Sequence, residues 1–288
     1  MNSFDRSLVV GLVVLAVALA ANAIAGPLLL DAVDYPFSET LVNQTIGLEA
    51  VTLAVVVPWT LIAALLVARD HPAGPLLAIA PAGYAAYMLA QYVLGPQYQT
   101  AEPIVIAHLL TFILAAASLV VAWARSRVHA VPRSSRRRRR VVAGGLFVMA
   151  AFTITRYLDL LVGATTGAAL PPEYAADPTM YWTIVLLDLG VVVPTALATG
   201  IALLWRAEWA RRAAYAVVGW FVLVPVSVTG MSVVMYLNND PYAGAGDVAL
   251  FAVATLLFIA FAAWVYRPLL GVGSPRAQDV SVAADPSR

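Results

Sequence analysis

Residues 45–70 read TIGLEAVTLAVVVPWTLIAALLVARD. From Thr45 to Val67 there is one acid, Glu49, and no base, and Arg69 and Asp70 close the run. A helix needs about 20 apolar residues to cross the hydrocarbon core of a bilayer, so this stretch reads as a spanning helix with an arginine anchor. Seven further segments read the same way: Leu8–Leu30, Pro75–Leu94, Ile104–Ala124, Val141–Val162, Thr183–Trp205, Ala213–Leu237 and Val248–Tyr266. The chain as a whole is 62% hydrophobic and 11% charged, with mean hydropathy +0.85. Soluble domains are about 25% charged, so 288 residues of this composition leave no room for a large soluble domain. The expected fold is an all-α integral membrane protein with eight transmembrane helices.

Arginine placement predicts the orientation. One set of connections holds Arg69, the block from Arg125 to Arg140, and Arg206, Arg211 and Arg212, with Arg6 and Arg267 flanking the two ends of the bundle. The opposite connections, 31–44, 95–103, 163–182 and 238–247, hold no arginine and carry Asp31, Asp34, Glu39, Glu102, Glu173, Asp177, Asp240 and Asp247. Both termini are therefore expected in the cytoplasm, and the alanine- and arginine-rich composition suggests the plasma membrane of a prokaryote. The 23-residue apolar run of the first segment exceeds the hydrophobic region of a cleaved signal peptide, about 7–15 residues.

Two patterns recur along the chain. Val55-Val56-Val57-Pro58 returns as Val191-Val192-Val193-Pro194, and the spacing from Pro81 to Tyr92 returns from Pro225 to Tyr236. Pro96 and Pro241 follow in short connections, and Arg6 precedes the first segment as Arg140 precedes the fifth. The pattern divides the chain into a four-helix half (1–124), an arginine-rich loop (125–140), a second four-helix half (141–270) and a polar, disordered tail (271–288). Four spans per half would make the repeat parallel, its pseudo-symmetry axis along the membrane normal. The competing reading is chance recurrence of valine and proline in apolar sequence. Proline bends a spanning helix by removing a backbone donor, so Pro58, Pro81, Pro194 and Pro225 could open a cavity between the halves, although proline is common in such helices anyway.

The intramembrane polar groups cluster at one depth. Asn22, Gln91, Arg156 and Asp159 lie late in helices running away from the arginine loops, and Glu49, His108 and Asp188 lie early in helices returning to them. All seven are candidate ligand-binding residues, because ionisable groups inside a membrane are expensive to keep without a use. Arg156 is expected to pair with Glu49, Asp188 or Asp159, the last at i+3. One arginine against three acids leaves surplus negative charge that would suit a cationic ligand. Stripes such as Thr45–Glu49–Thr52, Thr153–Arg156–Asp159, His108–Thr111–Ser118 and Asp188–Thr195–Thr199 are expected to face the bundle interior. Tyr84 and Tyr87 beside Pro81 could line a pocket or serve only packing. The alternative for every stripe is hydrogen bonding that merely locks the bundle.

Several functions are excluded or left without support. There is no cysteine, which removes thiol catalysis, disulfides and iron–sulfur ligation. All 17 basic residues are arginine, which removes lysine Schiff bases. His71, His108 and His129 are the only histidines, too few within the membrane for a three-histidine metal site. No cofactor or metal is expected, and no nucleotide-binding loop is present. Arg133 and Arg136, Arg137, Arg138, Arg139 and Arg140 are expected to touch anionic lipid headgroups of the bilayer rather than nucleic acid. Asn43-Gln44-Thr45 matches a glycosylation sequon but abuts the apolar run. Three functions follow as expectations: binding or transport of a small polar or cationic molecule in an outward-facing cavity, a membrane-embedded enzyme acting on a lipid or isoprenoid, or a non-catalytic membrane subunit.

Overall fold

The computed structural model describes residues 3–126, 131–132 and 134–271. His129, Arg133 and the tail after Gly271 lie outside the described residues. Among those described there is helix and no strand. The long helices are α1 (Ser3–Ala25), α2 (Glu39–Ala68), α3 (Gly74–Leu94), α4 (Pro103–Arg125) and α5 (Arg136–Thr155). After a short α6 (Leu158–Gly163) come α7 (Pro178–Leu204), α8 (Glu208–Leu237) and α9 (Ala245–Gly271). Seven of these, all but α5 and α6, are long and apolar enough to cross a membrane. The chain is a multi-pass helical bundle of membrane-protein character.

The expected fifth span, Val141–Val162, is where the structure departs from the sequence reading. Five arginines fill the first turns of α5, which leaves about 22 Å of apolar helix from Val141 to Thr155 at 1.5 Å per residue. The helix then stops: Tyr157 N–H bonds back to the Ile154 carbonyl, and Thr155 Oγ1 donates to the Phe152 carbonyl. The chain passes through Arg156 and Tyr157 before α6 begins.

Both valine–proline motifs produce the same local structure. A π turn occupies Thr52–Val56 in α2 and Asp188–Val192 in α7, each ending two residues before the proline. Proline has no N–H and its ring crowds the carbonyl four residues back, and one wider turn absorbs that misfit without ending the helix. Val57 N–H consequently reaches the Thr52 carbonyl, and Val193 N–H reaches that of Asp188. Both helices also end alike, in left-handed residues Asp70 and Arg206. There His71 N–H closes on Leu66 and Ala207 N–H on Ala202.

The second half of α2 packs against α1, and the second half of α7 against α5. α3 pairs with α4 and α8 with α9, while α3 and α8 meet each other at the centre. The first half of α2 lies tightly along α8, whereas the first half of α7 approaches α3 more loosely. The tight crossing depends on two glycines. A Cβ on Gly47 would stand 2.5 Å from backbone atoms of Gly230 and Met231, closer than any side chain tolerates. Such small-residue crossings are how membrane helices gain contact where no hydrophobic force drives them together.

Connections converge at two opposite ends. At the acidic end Ser38 N–H donates to Asp177, Gln97 to Thr179, and Asn43 Nδ2 to Asp240. Asn43 is buried and also accepts from Asn238, so the sequon asparagine is spent on tertiary structure. At the arginine end, Arg212 sits over Trp123 and donates to the Ser126 carbonyl, and Arg125 pairs with Asp5. Arg138 sits over Trp264 and donates to the Trp264 and Val265 carbonyls. Its guanidinium thus binds carbonyls within α9 one turn ahead of Pro268, whose missing N–H leaves the Trp264 carbonyl without a helical donor.

Candidate functional site

The polar residues expected to form one constellation are divided among three places. The first is a cavity of about 90 Å³ between α2, α3, α7 and α8, beneath the connection that carries Tyr174. Its polar wall includes Gln44, Gln91, Arg156 and Asp188. The rest is largely apolar, with Leu48, Met88, Met180, Ile184, Val224 and Met231 among the lining.

Asp188 is the organising residue. It is the first residue of the π turn in α7 and is buried. Tyr87 Oη donates to its Oδ1 at 2.7 Å and Tyr157 Oη to its Oδ2 at 2.6 Å. A carboxylate taken out of water needs such donors on its lone pairs. Tyr87 reaches it from α3, steadied edge-on by Trp220 at 5.2 Å. Tyr157 reaches it from the break between α5 and α6, and that break therefore has a partner that holds it in place.

Arg156 stands on the same cavity wall, within electrostatic range of Asp188, Tyr87 and Tyr174. Among the described residues it forms no hydrogen bond and no direct ion pair. The pairing expected from sequence is thus realised only through the field. Asp159 does not pair with it either. The helix breaks at Arg156–Tyr157, so the i+3 relation is lost, and Asp159 sits exposed on α6. Above the cavity, burial pushes the Glu173 carboxyl upward while Arg156 pulls it down. Burial and Glu173 together push the Tyr174 hydroxyl well above its ordinary range.

Tyr84 and Ser227 close the floor, 2.5 Å apart. Ser227 donates its single hydroxyl proton to the Leu223 carbonyl, so Tyr84 must be the donor of the pair. Of the two readings open for Tyr84 and Tyr87, packing or pocket, both residues line this cavity. Tyr157, Tyr174 and Ser227 were not singled out from sequence. On an unbroken helix, Tyr157 and Arg156 would point about 100° apart, and nothing local in the sequence announces the break.

Asn22, Glu49 and His108 form a second cluster outside this cavity, between α1, α2 and α4. His108 Nε2 lies 2.7 Å from Asn22 Oδ1, which makes Nε2 the protonated nitrogen and leaves Nδ1 an acceptor. The His108 ring stacks on Tyr92 at 5.0 Å, and Tyr92 stacks on Tyr35 at 5.3 Å. Glu49 is 1% exposed, and its Oε2 accepts from Leu28 N–H at 3.1 Å. A Cβ on Gly26 would overlap that carboxyl group. Among the described residues, His108 Nδ1 and Glu49 Oε1 are buried without a hydrogen-bond partner. The three-acid surplus therefore does not exist in any one place.

No cation faces Glu49 among the described residues, so its charge would be uncompensated. Glu49→Gln keeps an oxygen for Leu28 N–H and removes that charge. We expect its thermal stability in detergent within about 1 kcal/mol of the parent, or above it. A clear loss would mean that the ionised form supports the fold.

The hydroxyl stripes are mostly local. Thr45, Thr52, Thr153, Thr183 and Thr195 each donate to the carbonyl four residues back in their own helix. Thr195, at i+7 from Asp188, faces outward, whereas Thr199 at i+11 is buried as that stripe expects. The π turn between Asp188 and Thr195 inserts an extra residue into the register. Thr45 and Glu49 precede the π turn of α2 and Thr52 opens it, and all three are buried. No group of three or more acid or histidine side chains that could hold a metal occurs among the described residues. No family model matches the chain, and no curated protein or solved structure shows significant similarity to it.

Proposed function

We propose that this membrane protein binds a small amphipathic molecule through an anionic group held by Arg156, with its apolar body between α2, α3, α7 and α8. The observation that carries this reading is the guanidinium on the cavity wall, without a hydrogen-bond or ion-pair partner among the described residues. The neighbouring carboxylate is already satisfied by two tyrosine hydroxyls. A guanidinium offers five N–H donors in a planar fork suited to carboxylate or phosphate. The cationic ligand suggested by the acid count loses its support, because Glu49 and Asp159 lie elsewhere. The lipid-enzyme reading needed His108 and Arg156 around one substrate, and they belong to different clusters.

The topology we propose has eight crossings, with α5 and α6 together making the fifth, and both termini on the arginine side. The placement of Arg138 beside Trp264 at one end, and of Tyr157 beside Asp188 toward the other, supports that crossing. We also read the two halves as a parallel duplication. In its favour are the matched π turns, the matched left-handed helix ends, and the equivalent pairing of α1 with α2 and of α5 with α7. Arg136, Arg137 and Arg140 stay exposed at the arginine end and suit anionic headgroups.

The binding reading is tested by thermal unfolding of the purified protein with benzoate, benzylamine and benzyl alcohol, which share a ring and differ in charge. Benzoate should raise Tm saturably. Arg156→Gln should weaken that effect at least about tenfold, or about 1.4 kcal/mol. Stabilisation by benzylamine alone would reverse the sign of the proposed ligand, and equal effects from all three would remove Arg156 from recognition.

A further inference from the structure

At the opposite end of the bundle a second cavity, of about 420 Å³, lies between the start of α5, the turn joining α7 to α8, and Val131. Three arginines line it: Arg139, Arg206 and Arg211. Glu208 is the sole acid there, so the lining carries a net positive charge. Most of the donor capacity is unspent. Arg139 Nη1 donates to the Ser134 carbonyl at 2.9 Å, and Arg211 Nη1 reaches the Val131 carbonyl at 3.5 Å. Arg206 makes no hydrogen bond or ion pair among the described residues. It is exposed and has a left-handed backbone, φ 62°. The first turn of α8 opens here, and Ala207 gives its N–H groups no side-chain cap. The positive end of the α8 dipole therefore adds to the three guanidinium charges.

Two tryptophans set the depth of this cavity. Trp205 is 81% exposed and Trp209 is 43% exposed, on either side of Arg206 and Glu208. Exposed tryptophans on spanning helices collect at the headgroup level of a bilayer. Basic pockets between spanning helices at that level accept phosphate-bearing headgroups. We infer that Arg139, Arg206 and Arg211 form a binding site for a phosphoryl group, supplied by the headgroup of an anionic lipid. This differs from the diffuse attraction expected of the exposed Arg136, Arg137 and Arg140, because the three guanidinium groups line one cavity and share one occupant. It is independent of the ligand proposed at Arg156.

The test is thermal unfolding of the full-length protein in neutral detergent, titrated with phosphatidylglycerol, phosphatidylcholine or inorganic phosphate. Phosphatidylglycerol should raise Tm saturably and phosphatidylcholine should not. Arg206→Gln combined with Arg211→Gln should weaken the phosphatidylglycerol effect about thirtyfold, from about 1 kcal/mol per arginine at the membrane surface. Arg136→Gln combined with Arg137→Gln should change it only slightly. Arg206→Gln alone removes no protein contact, so it reads the site even if the double variant folds poorly. Equal losses in the cavity pair and the exposed pair would overturn the proposal in favour of unspecific surface charge. A rise with inorganic phosphate at equal molar concentration would keep the phosphoryl site and overturn the lipid as its source.

Discussion

Asp188→Asn is expected to destabilise the protein by about 3 kcal/mol, the largest loss from any single polar substitution in the bundle. The new amide keeps one acceptor oxygen, but its nitrogen faces the second tyrosine as a donor, so that hydroxyl must turn to accept and its own proton loses the carboxylate. Two charge-assisted hydrogen bonds thereby become neutral ones, and one buried hydroxyl proton is left without its acceptor. Removing the carboxylate also takes away the negative charge that faces Arg156 from α7, leaving Glu173 as the acid within its range. Tyr87→Phe and Tyr157→Phe should each cost about 1.5–3 kcal/mol, the range for a hydrogen bond to a charged group. Combining either with Asp188→Asn should cost less than the sum, since the partners share one network. Thermal unfolding in detergent reads all of these. Strict additivity would show that the tyrosines and the aspartate do not act together.

Gly47→Leu should prevent the two halves from closing, at a cost of more than about 4 kcal/mol, beyond the ordinary range for a substitution. The added Cβ would meet the Gly230 and Met231 backbone, which cannot rotate away as a side chain can. Even Gly47→Ala should cost about 2–3 kcal/mol by overpacking. Gly230→Ala should be milder, because its Cβ would meet the Val51 side chain at 2.7 Å and the Gly47 carbonyl at 2.9 Å, against backbone atoms at 2.5 Å for Gly47. The ordering Gly47→Leu, Gly47→Ala, Gly230→Ala in rising Tm is the result to look for. If Gly47→Ala were neutral, α2 and α8 would have to be less closely apposed than the glycine contact implies. Because Leu48 and Thr45 border Gly47 and line the cavity, Gly47→Ala should also weaken benzoate stabilisation.

The candidate site was legible in part, and the reason differs from residue to residue. Gln91, Arg156 and Asp188 could be placed from sequence because an isolated polar group in an apolar run stands out against its neighbours. Their depth follows from counting residues along a regular helix. The same count failed for Asp159 and Thr195, each of which lies beyond an irregularity. A helix break precedes Asp159 and a π turn precedes Thr195, and either one resets which face a residue occupies. Tyr157 was invisible for the same reason: its role exists only because the chain stops being helical between Thr155 and Leu158. Glu49 and His108 stand out in the same way, but only the packing gives them Asn22 as company and sets them apart from Arg156 and Asp188. Depth is a property of one helix, whereas adjacency is a property of how helices pack.

The arginine partition shows the same division at the other end. Arginine content alone separates one set of connections from the other, because few residues are as costly to bury in hydrocarbon. It does not distinguish Arg138 and Arg212, which hold helix ends across tryptophan rings, from Arg206, which faces a cavity. All three carry the same charge and differ only in what the fold brings within reach.

By itself, then, the sequence determined that this is a bundle of long apolar helices, where its polar residues lie along each helix, and where prolines would disturb the regular turn. These follow from transfer energies and backbone chemistry acting over a few residues at a time. The tertiary structure decided that Asp188 belongs to Tyr87 and Tyr157, that Arg156 is left without a direct partner beside them, and that Glu49 and His108 stand apart. Those outcomes depend on Gly47 letting two helices touch and on two π turns setting the faces that meet. The Gly47 crossing and the Tyr87–Asp188 contact join residues more than 100 positions apart, where no local pattern carries the information.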